Sequence, residues 1–177
     1  VPSKIPSIDE LGLPSICKEL VLKPSGLVLV TGASGSGKST TLAAMINHLN
    51  QTERRNAITV EDPIEFLFNN QKCIIRQREL GEDTESFSSA LIHALRHDPD
   101  VIVIGEMRDL ATISTAISAA ETGHLVLGTL HTIGAVKTID RIIDGLPSDM
   151  REQAKSFLGQ SLKAVMTQTL IKTPEGR

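Results

Sequence analysis

Tryptophan and tyrosine are absent from the 177 residues, and phenylalanine occurs four times. Stacking platforms for single-stranded nucleic acid are hard to build from so few rings. Basic runs are just as scarce: none exceeds Arg54 and Arg55, and the net charge is −3. Proteins that track a phosphate backbone carry a basic stripe or patch, so no nucleic-acid partner is expected. The longest apolar runs reach about five to six residues, against the roughly 20 that a bilayer-spanning helix needs. No secretory leader is recognisable. The two cysteines, Cys17 and Cys73, lie far apart and form no C-x-x-C pair. They read as reduced thiols of a cytoplasmic protein. The chain is 40% hydrophobic, enough for one domain with a real core.

Its most informative stretch is Gly32-Ala33-Ser34-Gly35-Ser36-Gly37-Lys38-Ser39-Thr40. The spacing is that of the phosphate-binding P-loop, G-x-x-x-x-G-K-[ST]. Gly32, Gly35 and Gly37 let the backbone curl so that successive N–H groups converge on a polyphosphate. Lys38 would bring a positive charge to the β/γ-phosphates, and the Ser39 hydroxyl would ligate Mg²⁺. Upstream, residues 26–31 form a short apolar run suited to a buried parallel strand. Downstream, residues 38–50 have helical spacing, with Leu42, Met45, Ile46 and Leu49 on one stripe. Strand, glycine turn and helix start together make an anion site.

Further strands are predicted at 57–60, 101–104 and 125–130, and a small hairpin over 66–68 and 73–77 around Asn69 and Asn70. Before the first strand, a short helix capped by Ser7 or Asp9 and a second over 14–22 are expected. Later helices are predicted at 84–97, capped by Thr84; from a cap at Asp109 to about 121; and at 135–143, 150–158 and 162–171. Strands alternating with helices specify an α/β fold, mainly a parallel sheet with helices on both faces.

Ligands of such sheets lie at the carboxyl ends of the strands. The third strand exits into Gly105, Glu106, Met107, Arg108 and Asp109. An apolar run ending in an acid is the Walker B pattern that holds Mg²⁺ or its waters. Glycine stands where an aspartate usually precedes the glutamate, so Glu106 acts alone or with another strand. The second strand exits into Glu61, Asp62, Pro63, Ile64 and Glu65. Three carboxylates beside a polyphosphate would repel one another unless a cation such as Mg²⁺ is present. One of them can orient or deprotonate the attacking water; spacing alone does not say which. The fourth strand exits into His131 and Thr132, where a polar group can sense a γ-phosphate. His124 and His131 are roughly 23 Å apart if extended and cannot share one metal ion. His93 and His97 are an i, i+4 pair whose default reading is a solvated helix face.

These blocks together resemble the type II/IV secretion and pilus ATPase superfamily. The P-loop matches, residues 59–65 (TVEDPIE) resemble the family's aspartate box, residues 105–109 its Walker B with the same glycine, and residues 122–132 its histidine box. Residues 77–79, 105–110 and 168–172 are similar to the branch that powers pilus retraction in twitching motility. The chain has no cysteine after Cys73, whereas extension and secretion members commonly carry a four-cysteine zinc module.

The resemblance implies a RecA-like P-loop core with ATP and Mg²⁺ as its ligands. It implies phosphate or cofactor contacts from residues 32–40 and His131, magnesium held by Ser39 and Glu106 partly through water, and catalytic roles for Lys38, Glu65, Glu106 and His131. Arg78, Arg96 and Arg108 resemble basic residues of the motor core, and His97 stands where an acid is usual. A homo-hexameric ring, a pilus platform protein as partner, and a cytoplasmic location against the inner face of the bacterial inner membrane are likewise implied. Residues 1–24 are expected to be a lead-in and 25–177 the motor domain, without the family's N-terminal PAS-like domain or its C-terminal helical region. That N-terminal domain supplies arginines to the neighbouring subunit's nucleotide, so the lone core is expected to bind nucleotide and turn over slowly. A pilus-extension or secretion ATPase, a nucleic-acid motor and a P-loop kinase are the alternative readings.

Overall fold

The computed structural model describes residues 4–172. Pro2 of the expected lead-in and the last five residues of the 25–177 segment lie outside them. Six strands form one parallel sheet: β1 (Gly26–Thr31), β2 (Asn56–Glu61), β3 (Ile74–Glu79), β4 (Val101–Ile104), β5 (Leu125–Leu130) and β6 (Leu162–Thr167). Their order across the sheet is β3-β2-β4-β5-β1-β6. The helices are α1 (Ile16–Val21), α2 (Lys38–Thr52), α3 (Phe87–Leu95), α4 (Leu110–Glu121), α5 (Ala135–Asp144) and α6 (Arg151–Ser161).

Every residue of β1, β4 and β5 is buried, as the uniformly apolar runs require of strands covered on both faces. The period-two alternation of a strand divides them between two cores. Val28 and Val30 pack with Leu42, Met45 and Leu49 of α2 and with α1. Leu27 and Leu29 pack with Leu91 of α3, Ile113 and Ile117 of α4 and Leu158 of α6. Each such side chain, taken fully from water, contributes about 1.5–3 kcal/mol. Because β5 lies between β1 and β4, the carboxyl end of β5 is flanked by the P-loop on one side and the Walker B exit on the other.

Four local expectations are corrected. The hairpin over 66–68 and 73–77 does not form. Residues 74–79 run parallel to β2 as an edge strand, and residues 62–73 are irregular. Asn50, at the end of α2 and 1% exposed, overrides the local turn signal: its side chain donates to Asn69 O and accepts from the amides of Gln71 and Cys73. Residues 162–171 contain no helix; 162–167 are β6, paired with β1. Leu162, Val165, Met166 and Leu170 have helical spacing, but the free edge of β1 offers a backbone ladder, and tertiary pairing wins over a short ambiguous pattern. Thr84 does not cap α3; Ser86 does, its Oγ accepting from Ser89 N at 3.1 Å. Residues 8–12 are turns rather than a helix. The Asp109 cap forms as expected, with Oδ1 accepting from Thr112 N at 2.8 Å.

Candidate functional site: a phosphate cradle faced by acids

β1 delivers the chain into the P-loop, and α2 leaves it. Gly32 has φ 148°, and a Cβ there would lie 2.4 Å from Gln168 O and 2.6 Å from Ser36 Oγ, so only glycine fits. Gly35 and Gly37 have φ of 75° and 87°. The first intrahelical bond of α2 is Thr41 N to Gly37 O. The amides of Lys38, Ser39 and Thr40 therefore have no intrahelical acceptor. Gly37, as N-cap, offers no side chain to satisfy them, and the first turn holds no acid. Uncapped amides at the positive end of a helix dipole fit an anion.

Lys38 lies across this cradle. Its Nζ donates to Gly32 O at 2.9 Å and Ala33 O at 2.8 Å, and sits 3.5 Å from His131 Nδ1. Burial pulls the Lys38 pKa below its ordinary value, against the opposing pull of Glu106 and Glu65. Glu106 Oε1 is 2.8 Å from His131 Nε2, and Glu106 Oε2 is 2.6 Å from Arg108. Burial raises the Glu106 pKa, but the Arg108 hydrogen bond and the charges of His131, Arg108 and Lys38 outweigh it, and the carboxyl titrates below its usual range. His131 is thus held between a cation and an anion. The pattern suits the tautomer whose Nε2–H donates to Glu106 and whose Nδ1 accepts from Lys38.

On the other wall, Ser39 Oγ donates to Glu65 Oε1 at 2.8 Å. Asp62 Oδ2 is 3.9 Å from Arg108. Glu61 also borders the cleft, with its carboxylate engaged from the sheet side. It accepts from the Thr59 hydroxyl at 2.6 Å and from Gln77 at 3.2 Å. Burial, the largest influence, raises its pKa against those hydrogen bonds. Residue 105 is glycine for a steric reason: a Cβ would lie 3.1 Å from Val60 O and 3.2 Å from Glu61 Cα. The aspartate usual at this place would press on the backbone of β2.

These groups line one cleft of about 510 Å³ at the carboxyl ends of β1, β2, β4 and β5. Lys38, Ser39, Thr40, Glu65, Glu106, Arg108 and His131 all face it. His124 does not, and lies at the opposite end of β5, its Nδ1 3.0 Å from Ala119 O. Arg78 is also away from the cleft and contacts His97 Nε2 at 3.3 Å. Thr129, Phe87 and Leu170 also line the cleft, and Gln168 braces the P-loop, its Nε2 donating to Ser36 O at 3.0 Å. The sequence pattern did not single out these four as site residues. Thr129 reads as strand interior, and the helical reading of 162–171 hid the approach of Gln168.

Among the described residues, no group of three His, Cys, Asp or Glu is placed to hold a metal ion by itself. The donor set fits a hard cation that takes most of its oxygens from phosphate and water, as Mg²⁺ does. Ser39 and Glu106 are the protein groups suited to that shell.

Fold and site together define a RecA-like P-loop α/β core, as anticipated from the sequence. Residues 8–175 match the family described as type II/IV secretion system protein, and the chain belongs to that family. It is 56% identical over 176 residues to a twitching motility protein of Neisseria gonorrhoeae, covering 99% of this chain and 47% of that protein. It is 55% identical over 172 residues to the type IV pilus retraction ATPase PilT of Pseudomonas aeruginosa, covering 97% of this chain and 50% of that one. A crystal structure of the pilus retraction motor PilT with bound ADP superimposes with a TM-score of 0.97 at 53% identity, over 99% of this chain and 51% of that one. The chain spans about half the length of the curated relatives it matches.

Proposed function

We propose that this chain is the ATP-hydrolysing motor core of a pilus retraction machine. One observation carries the reading: two acids from the segments after different strands, Glu65 after β2 and Glu106 after β4, meet the P-loop, one bonded to Ser39 and the other to His131 beside Lys38. Uncapped amides and an ammonium suit a polyphosphate, and paired carboxylates suit a water to be activated against it. The likeness to proteins named for retraction, one of them solved with ADP, supports the choice of nucleotide and of machine.

In this reading the amides of the P-loop and Lys38 bind the β- and γ-phosphates of ATP and neutralise charge that grows in the transition state. Ser39 and Glu106 hold Mg²⁺, which when bound supplies Lewis-acid polarisation of the phosphate oxygens. Glu65 or Glu106 orients the attacking water and takes its proton. Glu106 is engaged by Arg108 and His131, whereas Glu65 meets only the Ser39 hydroxyl among its described side-chain contacts, so Glu65 is assigned as the proton acceptor. His131 reports the γ-phosphate through Lys38 and Glu106. The motor domain is 25–177, the assembly a homo-hexameric ring, and the work is done on a platform protein at the inner face of the inner membrane. No helix among the described residues is long and apolar enough to cross a membrane.

An arginine donated by a neighbouring subunit is worth roughly 10³–10⁵ in rate in related phosphoryl-transfer enzymes. Phosphate release should therefore be slow from residues 1–177 alone and rise steeply once neighbours that carry the arginine-bearing N-terminal domain assemble around the nucleotide. A deletion strain should keep its surface pili and lose twitching. Loss of the pili themselves would indicate extension, and ring-like turnover by a dilute monomer would contradict the motor mechanism.

A further inference from the structure

Glu65 sits on a segment that cannot hold itself in place. Residues 62–73 belong to no helix or strand, so their backbone groups are satisfied from outside or by water. The Glu65 amide faces the Glu61 carboxylate at the end of β2, and the residues on either side of it find partners on the edge strand β3. In the parallel register, Gln77 lies beside Thr59, and Glu79 beside Glu61. The period of two puts Gln77 and Glu79 on one face of the sheet, beneath the Glu65 segment.

Gln77 uses both ends of its amide on that segment. Its Nε2 donates to Phe66 O at 2.8 Å, and its Oε1 accepts from Phe68 N at 3.0 Å. The same Nε2 reaches Glu61 Oε1 at 3.2 Å. Glu79 Oε2 accepts from Ile64 N at 2.9 Å. The residue before Glu65, the residue after it and the next but one after that are therefore each pinned by a side chain of β3. Phe66 is itself buried, 8% exposed, and Phe68 packs against the core, so the stretch 64–68 is held by its two rings and by three polar bonds to β3. The Glu65 side chain, by contrast, meets Ser39 through a single hydrogen bond among its described side-chain contacts. Its aim at the cleft depends on where the backbone on either side is held.

We propose that Gln77 and Glu79 are positioning residues for Glu65: a two-point clamp from the edge strand that fixes the carboxylate against the P-loop serine. This rests on the reading above in which Glu65 handles the attacking water. Neither residue lines the cleft, so neither is expected to touch nucleotide. The clamp acts through geometry alone, and a misplacement of about 1 Å at a reacting group is worth roughly 10²-fold in rate.

The test is single-turnover ATP hydrolysis and nucleotide titration on the full chain carrying Gln77→Leu, Glu79→Ala or Glu79→Gln, each alone and with Glu65→Gln. Gln77→Leu should lower the hydrolysis rate by about 30- to 100-fold, while the nucleotide Kd moves by less than about threefold. Glu79→Ala should lower the rate by about tenfold, and Glu79→Gln, which keeps an acceptor for Ile64 N, should recover most of it. On the Glu65→Gln background, Gln77→Leu should add less than about threefold, because the group it positions is already disabled. Hydrogen exchange at Ile64 and Phe68 should accelerate in Gln77→Leu and Glu79→Ala. If Gln77→Leu does not fold, Gln77→Glu serves in its place, since it loses the donor to Phe66 O and puts a charge against Glu61. If Glu65→Gln slows hydrolysis but the Gln77 variants do not, or if their effects add in full to Glu65→Gln, the clamp is overturned and the role of Glu65 stands. A loss of rate matched by an equal loss of nucleotide affinity also overturns it. If Glu65→Gln hydrolyses ATP at the unmodified rate, the parent reading fails and takes the clamp with it.

Discussion

Lys38→Ala should lose ATP affinity by about 10²-fold or more. The ammonium sits at the point where the uncapped start of α2, the P-loop carbonyls and the acids meet. It donates to Gly32 O and Ala33 O and faces His131, while Glu106 and Glu65 contribute opposing charge. A hydrogen bond to a charged group contributes about 1.5–3 kcal/mol. Losing two such bonds to phosphate oxygens amounts to at least about 3 kcal/mol, or two decades in Kd. The loss should be larger for ATP than for AMP, because the lysine answers to the β- and γ-phosphates. Lys38→Arg should not rescue: a planar fork cannot take the place of a point charge that fits between two backbone carbonyls. Fluorescent-nucleotide titration reads the effect directly. An affinity within about threefold of the unmodified chain would remove Lys38 from the phosphate site.

Glu106→Gln should leave nucleotide bound and lower hydrolysis by about 10²- to 10³-fold. The glutamine keeps the size of the side chain and an acceptor for one partner, but it withdraws the charge that balances Lys38, Arg108 and His131. The variant also carries a stability signature. The folded carboxyl titrates below its usual range, so the unfolded chain binds the proton more readily in mild acid. The stabilisation from Glu106 is therefore complete above the ordinary glutamate pKa and is lost as pH falls through the lower folded value. Arg108 is 59% exposed, so salt screens part of it. Thermal melts from pH 7 down to pH 3 should show a gap between the two proteins that closes on the acid side. A gap that widens in acid would mean that the Glu106 carboxyl is not held ionised by its neighbours.

How much of this was legible in the chain depended on how local the cause was. The P-loop is a local object: glycine spacing, a lysine and a serine next to a strand and a helix start, and the fold places all of them as expected. The exits of β2, β4 and β5 were also legible, because short apolar runs ending in acids or histidine mark where buried strands surface. That these exits meet in one cleft is a consequence of strand order, with β5 between β1 and β4. The separation of His131 from His124 followed from strand length. The edges were not legible. Residues 73–77 looked like half of a hairpin because Asn69 and Asn70 carry a turn signal. The deciding group is the buried side chain of Asn50, some twenty residues earlier in the chain. Residues 162–171 fit a helix by spacing, and only the unpaired edge of β1 decides for a strand. Both misreadings hid supporting residues: Gln77 and Glu79 under the Glu65 segment, and Gln168 behind the P-loop.

The glycine at 105 shows the opposite case, where a departure from pattern has a local cause. Its absent side chain lets β4 leave the sheet close to Val60 O and Glu61 Cα. The role often shared by two neighbouring acids falls to Glu106 on its own strand, with Glu65 reaching in from the other wall. The result is a site in which the two carboxylates come from the segments that follow β2 and β4 and are bonded to different partners.

Every residue role in this site needs a nucleoside triphosphate to be gripped by the start of α2. Titration calorimetry of the unmodified chain with ATP, with and without Mg²⁺, tests that most directly. A one-site isotherm that strengthens with Mg²⁺ and weakens in order from ATP to ADP to AMP is the expected outcome. No measurable heat with ATP, or equal affinity for all three nucleotides, would show that the cradle between Lys38, Glu65 and Glu106 does not hold a triphosphate.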